Sequence, residues 1–368
     1  MKIAILGIRG IPANYGGFET FAEELSIRLA GKGHEVTVYG RTNTIETRQK
    51  IYKRVRLVIL PTIGHKYLDT VAHTFFCVFH ALSKSYDVVL ICNSINSIFS
   101  FIPRLSGKKV AINVDGLEWQ RKKWNALGQW MYKFSERLAT TLSDEVVTDS
   151  RTIEAYYLKK FGKHSTYIPY GAPTVRIRSR EALDQFGLKD RKYVLYVSRL
   201  EPENNAHRVI SAFEEVETNL KLVIVGDAPY SEDYIRKLKS TRDKRIVFTG
   251  YVFGRGYREL QSHAYFYVQA TEVGGTHPAL LEGMGYGNCV LANDVPEHRE
   301  VLDSAGIFFQ TQREGDLRDK MQYLLDHREV VGEYRKRAVR RVKEQYSWEK
   351  VTEDYERLFS GMLHPLSI

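Results

Sequence analysis

The chain has 368 residues, 43% hydrophobic and 27% charged, a composition that excludes a disordered, collagen-like or wholly coiled-coil protein. Its length predicts about two domains, because a domain holds on the order of 150 residues. The formal net charge of +10 lies entirely in residues 1–170, which hold 24 basic and 14 acidic residues. This asymmetry favours an anionic partner for the first half, such as a membrane surface, a pyrophosphate or nucleic acid; a merely solvated basic surface is the alternative.

Short apolar runs alternate with helical patterns along the chain, as is typical of parallel sheets covered by helices. In the first half we predict strands at residues 2–6, 35–39, 55–60, 88–92, 110–114 and 145–148. The second half repeats the series, with strands at residues 193–197, 221–225, 245–248, 264–269 and 289–292. We therefore predict two Rossmann-like α/β domains, residues 1–170 and 171–345, and a C-terminal helical segment, residues 346–368, that packs back on the first domain.

The sequence favours a cytoplasmic protein. No apolar run reaches the roughly 18 residues that a membrane span needs, since the best candidate, residues 88–102, contains Asn93, Ser94, Asn96 and Ser97. Residues 1–6 predict a first strand rather than a signal peptide. The three cysteines, Cys77, Cys92 and Cys289, are scattered, which argues for a reducing compartment.

A glycine turn follows the first predicted strand and leads into a helix. It lacks the G-x-G-x-x-G pattern, and Gly40-Arg41 stands at the end of the second strand in place of an acidic residue, which argues against a dinucleotide site. Gly16 and Gly17 still allow main-chain amides to approach an anion at the helix N-terminus. A simple tight turn is the alternative.

Polar residues follow several strands of the second half, where open α/β sheets bind ligands. Arg199 follows the strand at 193–197, and its guanidinium suits phosphate because it donates two parallel hydrogen bonds. Gly226-Asp227 and Tyr251-Val252 occupy equivalent strand ends. A surface arginine without a ligand is the alternative interpretation.

A second glycine turn, Gly274-Gly275-Thr276, precedes a helix that we expect to begin near Pro278. Its main-chain amides and hydroxyl suit an anionic ligand. Glu282, one turn further, could accept two hydrogen bonds from a ribose diol, or it could simply complement the helix dipole.

Acidic and aromatic residues follow the strand at 110–114. Asp115 and Glu118 are candidates for acid–base work or for holding a sugar hydroxyl. Arg121 and Trp124 belong to a basic, aromatic run that suits a membrane interface, with a buried tryptophan cluster as the alternative. No Asp-x-Asp motif, P-loop, nucleophile elbow or zinc spacing occurs, so no metal site is expected.

Together these stretches resemble the retaining GT-B glycosyltransferases of family four, which transfer sugars from nucleoside diphosphates. Ser198-Arg199-Leu200 stands where that family has Gly-Arg-Leu, and Glu282 matches the second glutamate of its E-x7-E motif. Residues 10–19, 115–119, 202–205 and 274–278 are similar to the bacterial rhamnosyltransferase branch. The resemblance implies a GT-B fold, in which two Rossmann-like domains face each other across a cleft that holds the donor.

The resemblance also implies the roles of individual residues. Gly274 replaces the first glutamate of E-x7-E, and Asn204 replaces a phosphate-binding lysine, so Arg199 becomes the main cation and main-chain amides hold the donor. The implied donor-binding residues are Gly16, Gly17, Arg199, Asn204, Asn205, Gly226, Asp227, Tyr251, Val252, Gly274, Gly275, Thr276 and Glu282. The catalytic candidates are Asp115, Glu118 and Arg199, and the acceptor-binding candidates are Tyr15, Glu19, Arg121 and Trp124.

The implied reaction transfers a sugar, with L-rhamnose from dTDP-rhamnose preferred, onto a polyprenyl-pyrophosphate-linked saccharide with retention, in cell-surface polysaccharide synthesis. No cofactor or metal is expected, and nucleic acid is not an expected partner. The first domain would lie on the anionic inner face of the cell membrane. Two alternatives are a GT-B sugar-nucleotide epimerase and a non-catalytic nucleotide-sugar-binding protein.

Overall fold

The chain divides into two compact units in a computed structural model. Unit 1 comprises Met1–Tyr170 and Trp348–Ile368, and unit 2 comprises Gly171–Ser347. The structure describes residues 1–14, 16–46, 49–65, 68–121, 124–228 and 231–364.

Unit 1 is built on one mainly parallel sheet, which has eight strands within the described residues. In chain order the strands are β1 (Lys2–Leu6), β2 (Glu35–Arg41), β3 (Ile51–Tyr52), β4 (Val55–Leu60), β5 (Val88–Cys92), β6 (Lys109–Asn113), β7 (Glu145–Thr148) and β8 (Thr166–Tyr167). Their spatial order is β3-β4-β2-β1-β5-β6-β7-β8, and the short β3 runs antiparallel to β4. Ile3 pairs with Val36 on one side and with Val88 on the other, so the strand order reverses at β1.

Among the described residues, these strands are connected by the helices α1 (Gly17–Gly31), α2 (Asp69–Leu82), α3 (Phe101–Leu105), α4 (Ala126–Leu142) and α5 (Arg151–Phe161). The crossovers carrying α2, α3, α4 and α5 all advance toward β8, and α1 advances the opposite way. Because such crossovers are right-handed, α2 to α5 cover one face of the sheet and α1 covers the other. Both faces are therefore dry, which explains why β1 and β5 are almost wholly apolar and buried.

Unit 2 has six parallel strands within the described residues: β9 (Tyr193–Val197), β10 (Lys221–Val225), β11 (Ile246–Gly250), β12 (Phe266–Gln269), β13 (Val290–Asn293) and β14 (Ile307–Phe309). Their order is β11-β10-β9-β12-β13-β14, so here the order reverses at β9. The helices are α6 (Glu181–Gln185), α7 (Ala206–Glu214), α8 (Glu232–Leu238), α9 (Gly254–His263), α10 (Pro278–Gly285), α11 (Pro296–Leu302), α12 (Asp316–Asp326) and α13 (Arg328–Gln345). Val194, Ile224 and Val268 pack with α7 and α12 in the core on one face of this sheet.

The last helix, α14 (Trp348–Leu363), returns to unit 1 and packs against α1. Its buried Tyr355 accepts a hydrogen bond from Asn113 Nδ2 at 2.9 Å and lies 5.4 Å from the ring of Phe21. Glu356 pairs with Lys32 at 2.6 Å. Among the residues that the structure describes, no helix combines the length and the apolar character needed to cross a bilayer.

Candidate functional site

The strand-order reversal of unit 2 brings two loops together at the carboxyl ends of adjacent strands. The Arg199 loop follows β9 and the Gly274 turn follows β12, and these strands pair in parallel through Leu195 and Tyr267. Main-chain N–H of Glu272 donates to the carbonyl of Glu203 at 3.1 Å, which joins the two loops directly. Ligands of open α/β sheets bind at such a reversal. Arg199 and the Gly274 turn therefore lie at one edge of one sheet.

Arg199 is half-buried at this edge. Within the described part of the chain, its guanidinium makes no hydrogen bond or salt bridge. Its carbonyl accepts a hydrogen bond from Asn204 Nδ2 at 2.6 Å, and Asn205 Nδ2 donates to the carbonyl of Ala270 at 2.9 Å. Both asparagine side chains are buried and fix the two loops. Their direct contact with a donor stays a prediction.

The ends of β10 and β11 complete this edge. Gly226 has a φ of 134°, and a Cβ there would lie 1.9 Å from the carbonyl oxygen of Ser198, so only glycine allows this approach. The carbonyl of Asp227 accepts a hydrogen bond from the N–H of Leu200 at 3.2 Å. Tyr251, which follows β11, is 39% exposed and stacks on Phe253 at 5.5 Å. An exposed aromatic pair of this kind can take a nucleobase on its face.

The Gly274 turn is shaped around His277. Gly274 has a φ of 156°, and a Cβ at this position would lie 2.5 Å from His277 Nε2. Any larger residue would force the imidazole to move. Gly275 and Thr276 are buried, and His277 occupies the N-cap position of α10, whose first residue is Pro278 as expected from the sequence.

The buried His298 fixes the hydrogen-bonding state of the half-buried His277. His298 is fully buried, and burial lowers its pKa to about 4, so its ring is neutral at pH 7. Its Nδ1 lies 2.8 Å from the carbonyl of Asn293 and must carry the proton, which leaves Nε2 as an acceptor. That Nε2 lies 3.2 Å from His277 Nδ1, which therefore donates. In the neutral ring, His277 Nε2 is then an acceptor beside the glycine turn.

The histidine pair was missed by the sequence reasoning. His277 belongs to the segment 274–278, but nothing there signals that His298, 21 residues away, supports it. Only the β12–β13 pairing brings their two loops together.

Glu282 lies in α10, and Tyr257 of α9 holds its carboxylate. Tyr257 donates to Glu282 Oε2 at 2.6 Å and accepts from Gln261 Nε2 at 3.0 Å. Burial, with the charge of Glu282, raises the pKa of Tyr257 well above its ordinary value, so its hydroxyl stays a donor. The carboxylate of Glu282 thus has a fixed orientation.

In unit 1, Asp115 follows β6 with a left-handed φ of 58°. Tyr170 donates to Asp115 Oδ1 at 3.1 Å. Burial, assisted by the negative charge of Glu118, raises the pKa of Asp115 to about 6, while the nearby Arg121 opposes this increase. Glu118 itself pairs with Arg121 at 2.5 Å. Asp115 therefore has the character of a group that can exchange a proton near neutral pH.

A hydrogen bond to the side chain of Glu19 anchors the N-terminal glycine turn of unit 1. Gly16 is the N-cap of α1 and Gly17 its first residue, and the buried Glu19 accepts a hydrogen bond from the N–H of Arg9 at 3.0 Å. Trp124 packs against Tyr132 with ring centroids 5.2 Å apart. Tyr15, expected to contact the acceptor, lies outside the described residues.

No group of three or more His, Cys, Asp or Glu side chains in the described ranges could hold a metal ion. The three cysteines are buried as free thiols.

Comparison with protein families gives two matches. Residues 191–327 match the family "Glycosyl transferases group 1", and residues 76–173 match a domain of unknown function, DUF1972. The first match contains Arg199, the Gly274 turn and Glu282, and the second contains Asp115.

Two relatives match shorter segments. The N-acetylgalactosamine-N,N'-diacetylbacillosaminyl-diphospho-undecaprenol 4-alpha-N-acetylgalactosaminyltransferase of Campylobacter jejuni subsp. jejuni is 23% identical over 180 residues, 48% of this chain and 48% of the relative. The alpha-monoglucosyldiacylglycerol synthase of Streptococcus pneumoniae is 28% identical over 122 residues, 32% of this chain and 28% of the relative. The matches thus span about half, or less, of these curated relatives.

Solved structures match the whole chain. Sucrose-phosphate synthase from Thermosynechococcus elongatus superposes with a TM-score of 0.81 at 19% identity, covering 98% of both chains. Anabaena HepE in complex with UDP gives a TM-score of 0.77 at 14% identity, covering 98% of this chain and all of HepE. The expected α/β GT-B fold is confirmed. The match to the family "Glycosyl transferases group 1" at residues 191–327 lies within this fold.

Proposed function

We propose that the protein is a retaining glycosyltransferase that takes a sugar from a nucleoside diphosphate without a metal ion and transfers it to a lipid-linked saccharide. The observation that carries this proposal is the joining of the Arg199 loop and the Gly274 turn at the strand-order reversal of unit 2. The group 1 domain match over the same residues supports it. The UDP complex of the similarly folded HepE is consistent with a nucleotide donor.

In this proposal unit 2 holds the donor. Arg199 and the main-chain amides of the Gly274 turn face the diphosphate, and Glu282, oriented by Tyr257, accepts hydrogen bonds from the ribose. His277 Nε2 accepts a hydrogen bond from a donor-sugar hydroxyl. It does so beside Gly274, which stands at the position of the first glutamate of E-x7-E and offers no carboxylate. The Tyr251 ring lies against the base.

The transfer breaks the bond between the anomeric carbon and the diphosphate oxygen and forms a bond to the acceptor oxygen on the same face. The proton of the acceptor hydroxyl passes to the departing phosphate oxygen. Negative charge grows on the diphosphate during this step, and preorganised N–H donors with the Arg199 cation stabilise it. Asp115 of unit 1 orients the acceptor hydroxyl, with Glu118 and Arg121 holding the surrounding loop.

The finer assignments concern the substrates. We propose L-rhamnose from dTDP-rhamnose as donor sugar, on the sequence resemblance at residues 274–278. A polyprenyl-pyrophosphate acceptor is supported by the diphospho-undecaprenol named for the Campylobacter relative. Contact of unit 1 with an anionic membrane surface on the cytoplasmic side is supported by the net charge of +10 in residues 1–170.

A donor screen tests the proposal. Calorimetry with dTDP-, UDP- and GDP-sugars is expected to show one preferred donor, and mass spectrometry is then expected to show its sugar on a synthetic polyprenyl-pyrophosphate saccharide. Donor that is isomerised without any acceptor would instead identify an epimerase. Donor that binds but is never consumed with any acceptor would identify a binding protein.

Vesicle binding tests the membrane contact. Binding to phosphatidylglycerol vesicles is expected to weaken when salt rises from 0.1 M, because headgroup attraction is screened over about 10 Å at that ionic strength. Equal binding to neutral and anionic vesicles would contradict an electrostatic contact.

A further inference from the structure

The outer surface of the helix layer formed by α2, α3 and α4 is unusually apolar. Six of its side chains, each between 41% and 81% exposed, define what we call the aromatic face: Phe75, Phe79, Phe101, Leu105, Trp130 and Phe134. Phe75 contacts Phe79 at 4.6 Å between ring centroids, and Trp130 stacks on Phe134 at 5.5 Å. Water-exposed aromatic pairs of this kind mark a surface that binds something apolar.

The helix α4 carries its apolar stripe on the solvent side rather than on the buried side. Its buried side carries small and polar residues, Gly128, Ser135, Glu136 and Ala139 with Tyr132. Its solvent side carries Leu127, Trp130, Met131 and Phe134, which recur at the i, i+3, i+4, i+7 spacing of one helical stripe. An ordinary surface helix directs such a stripe to the core. Packing in the core of unit 1 therefore does not explain the presence of these exposed apolar side chains.

The three helices present one continuous surface. The crossovers place α2, α3 and α4 on the same face of the sheet, and residues of α2 and α4 share one core cluster beneath. The helical turn Ser94–Phe99, which runs into α3, packs against both α2 and α4. Phe75 of α2 contacts Phe99 of that turn at 6.2 Å.

The charges around the aromatic face are cationic. Lys133 and Arg137 of α4 are exposed, whereas the exposed Arg104 of α3 is neutralised by a salt bridge to Asp144 at 3.1 Å. The three carboxylates between residues 101 and 142, those of Asp115, Glu118 and Glu136, are buried or half-buried. The rim thus complements anionic headgroups around a surface that suits acyl chains.

We propose that the aromatic face inserts into the acyl region of an anionic lipid bilayer, with Lys133 and Arg137 at the headgroups. This inference rests on the proposed membrane contact and adds a hydrophobic component to it. Electrostatic contact alone is lost in high salt, whereas buried apolar area continues to hold the protein on the membrane.

Vesicles of phosphatidylcholine with 30% phosphatidylglycerol test the inference, using the full chain. The wild type is expected to bind them and to retain part of this binding at 0.5 M NaCl. Two double variants, Phe75→Ser with Phe79→Ser and Trp130→Ser with Phe134→Ser, are expected to lose binding by about tenfold or more. They are expected to abolish the part that resists salt.

Matched controls carry serine at exposed apolar positions elsewhere: Ile63→Ser in unit 1 and Val175→Ser in unit 2, which are 50% and 70% exposed. Both are expected to bind vesicles like the wild type. Circular dichroism and light scattering check folding and oligomeric state, and monomeric, folded variants are expected throughout.

The outcomes separate the two proposals. A wild-type protein that does not bind anionic vesicles would overturn the membrane contact itself. Face variants that bind as tightly as the wild type at 0.5 M NaCl would overturn the insertion alone. A wild-type dimer that the face variants convert to monomer, with vesicle binding unchanged, would assign the aromatic face to self-association instead.

Discussion

The substitution Arg199→Ala addresses the donor site most directly. A guanidinium about 4 Å from a phosphate charge contributes roughly 4 kcal/mol at an effective dielectric of about 20. At about 1.4 kcal/mol per factor of ten, complete loss of that interaction corresponds to roughly a thousandfold lower rate. Arg199 is half-buried, so water replaces part of the lost interaction, and we expect kcat to fall by at least about 100-fold.

The assay follows product by mass spectrometry with the preferred donor and a lipid-linked acceptor. The larger effect is expected on kcat rather than on KM, because the negative charge grows as the bond breaks. Arg199→Lys is expected to retain part of the activity, since it keeps one charge but loses the paired N–H donors. Arg236→Ala is the matched control, because its side chain is 77% exposed and pairs only at the surface of α8.

A rate for Arg199→Ala within about threefold of the wild type would refute the reasoning. The guanidinium would then lie at the strand end without facing the departing diphosphate. Unchanged thermal unfolding of the variant is required for either conclusion, and no described hydrogen bond of that guanidinium predicts a stability loss.

Three further predictions concern other residues. Gly274→Ala places a Cβ 2.5 Å from His277 Nε2. We therefore expect calorimetry to show at least about tenfold weaker binding of the sugar nucleotide, with binding of the nucleoside diphosphate less affected. Gly332→Ala is the neutral control, because a Cβ at Gly332 meets no atom within 4 Å. Asp115→Asn removes a carboxyl whose pKa in the folded protein, about 6, exceeds its ordinary 3.8. The wild type should therefore lose stability relative to the variant as pH rises from about 4 to 7. A difference in melting temperature that stays constant over this pH range would contradict the prediction. Asp69→Asn leaves the buried Arg41 without the carboxylate 2.6 Å away, so denaturant unfolding should show a loss of about 3 kcal/mol, whereas Asp233→Asn in an exposed pair should show almost none.

Much of the fold followed from local pattern. The predicted strands at 2–6, 88–92 and 193–197 coincide with β1, β5 and β9, because strands buried on both faces are continuous apolar runs between turns. Some predicted boundaries are displaced by one or two residues, as at β6 and β13, where polar terminal residues still pair in the sheet. The two-residue strands β3 and β8 and the three-residue strand β14 are too short to give a pattern and were not predicted.

The sequence located the individual segments of the candidate site but did not predict their contacts with one another. Placing Arg199 and the Gly274 turn at strand ends required only the alternation of strands and helices. That β9 and β12 are neighbours, although more than 60 residues separate them, follows from the strand order and not from either segment. The support of His277 by His298, and of Glu282 by Tyr257, likewise depends on side chains from different loops and helices.

The sequence by itself determined the α/β class, the strand-end positions of the polar residues and the concentration of positive charge in residues 1–170, because periodicity and composition are local properties. The tertiary structure decided which strand ends meet, which histidine nitrogen accepts a hydrogen bond, and that the apolar stripe of α4 faces outward. The stripe shows the physical reason: the pattern of a helix reveals that it has an apolar side, but only its packing on the sheet determines whether that side meets the core or the surroundings.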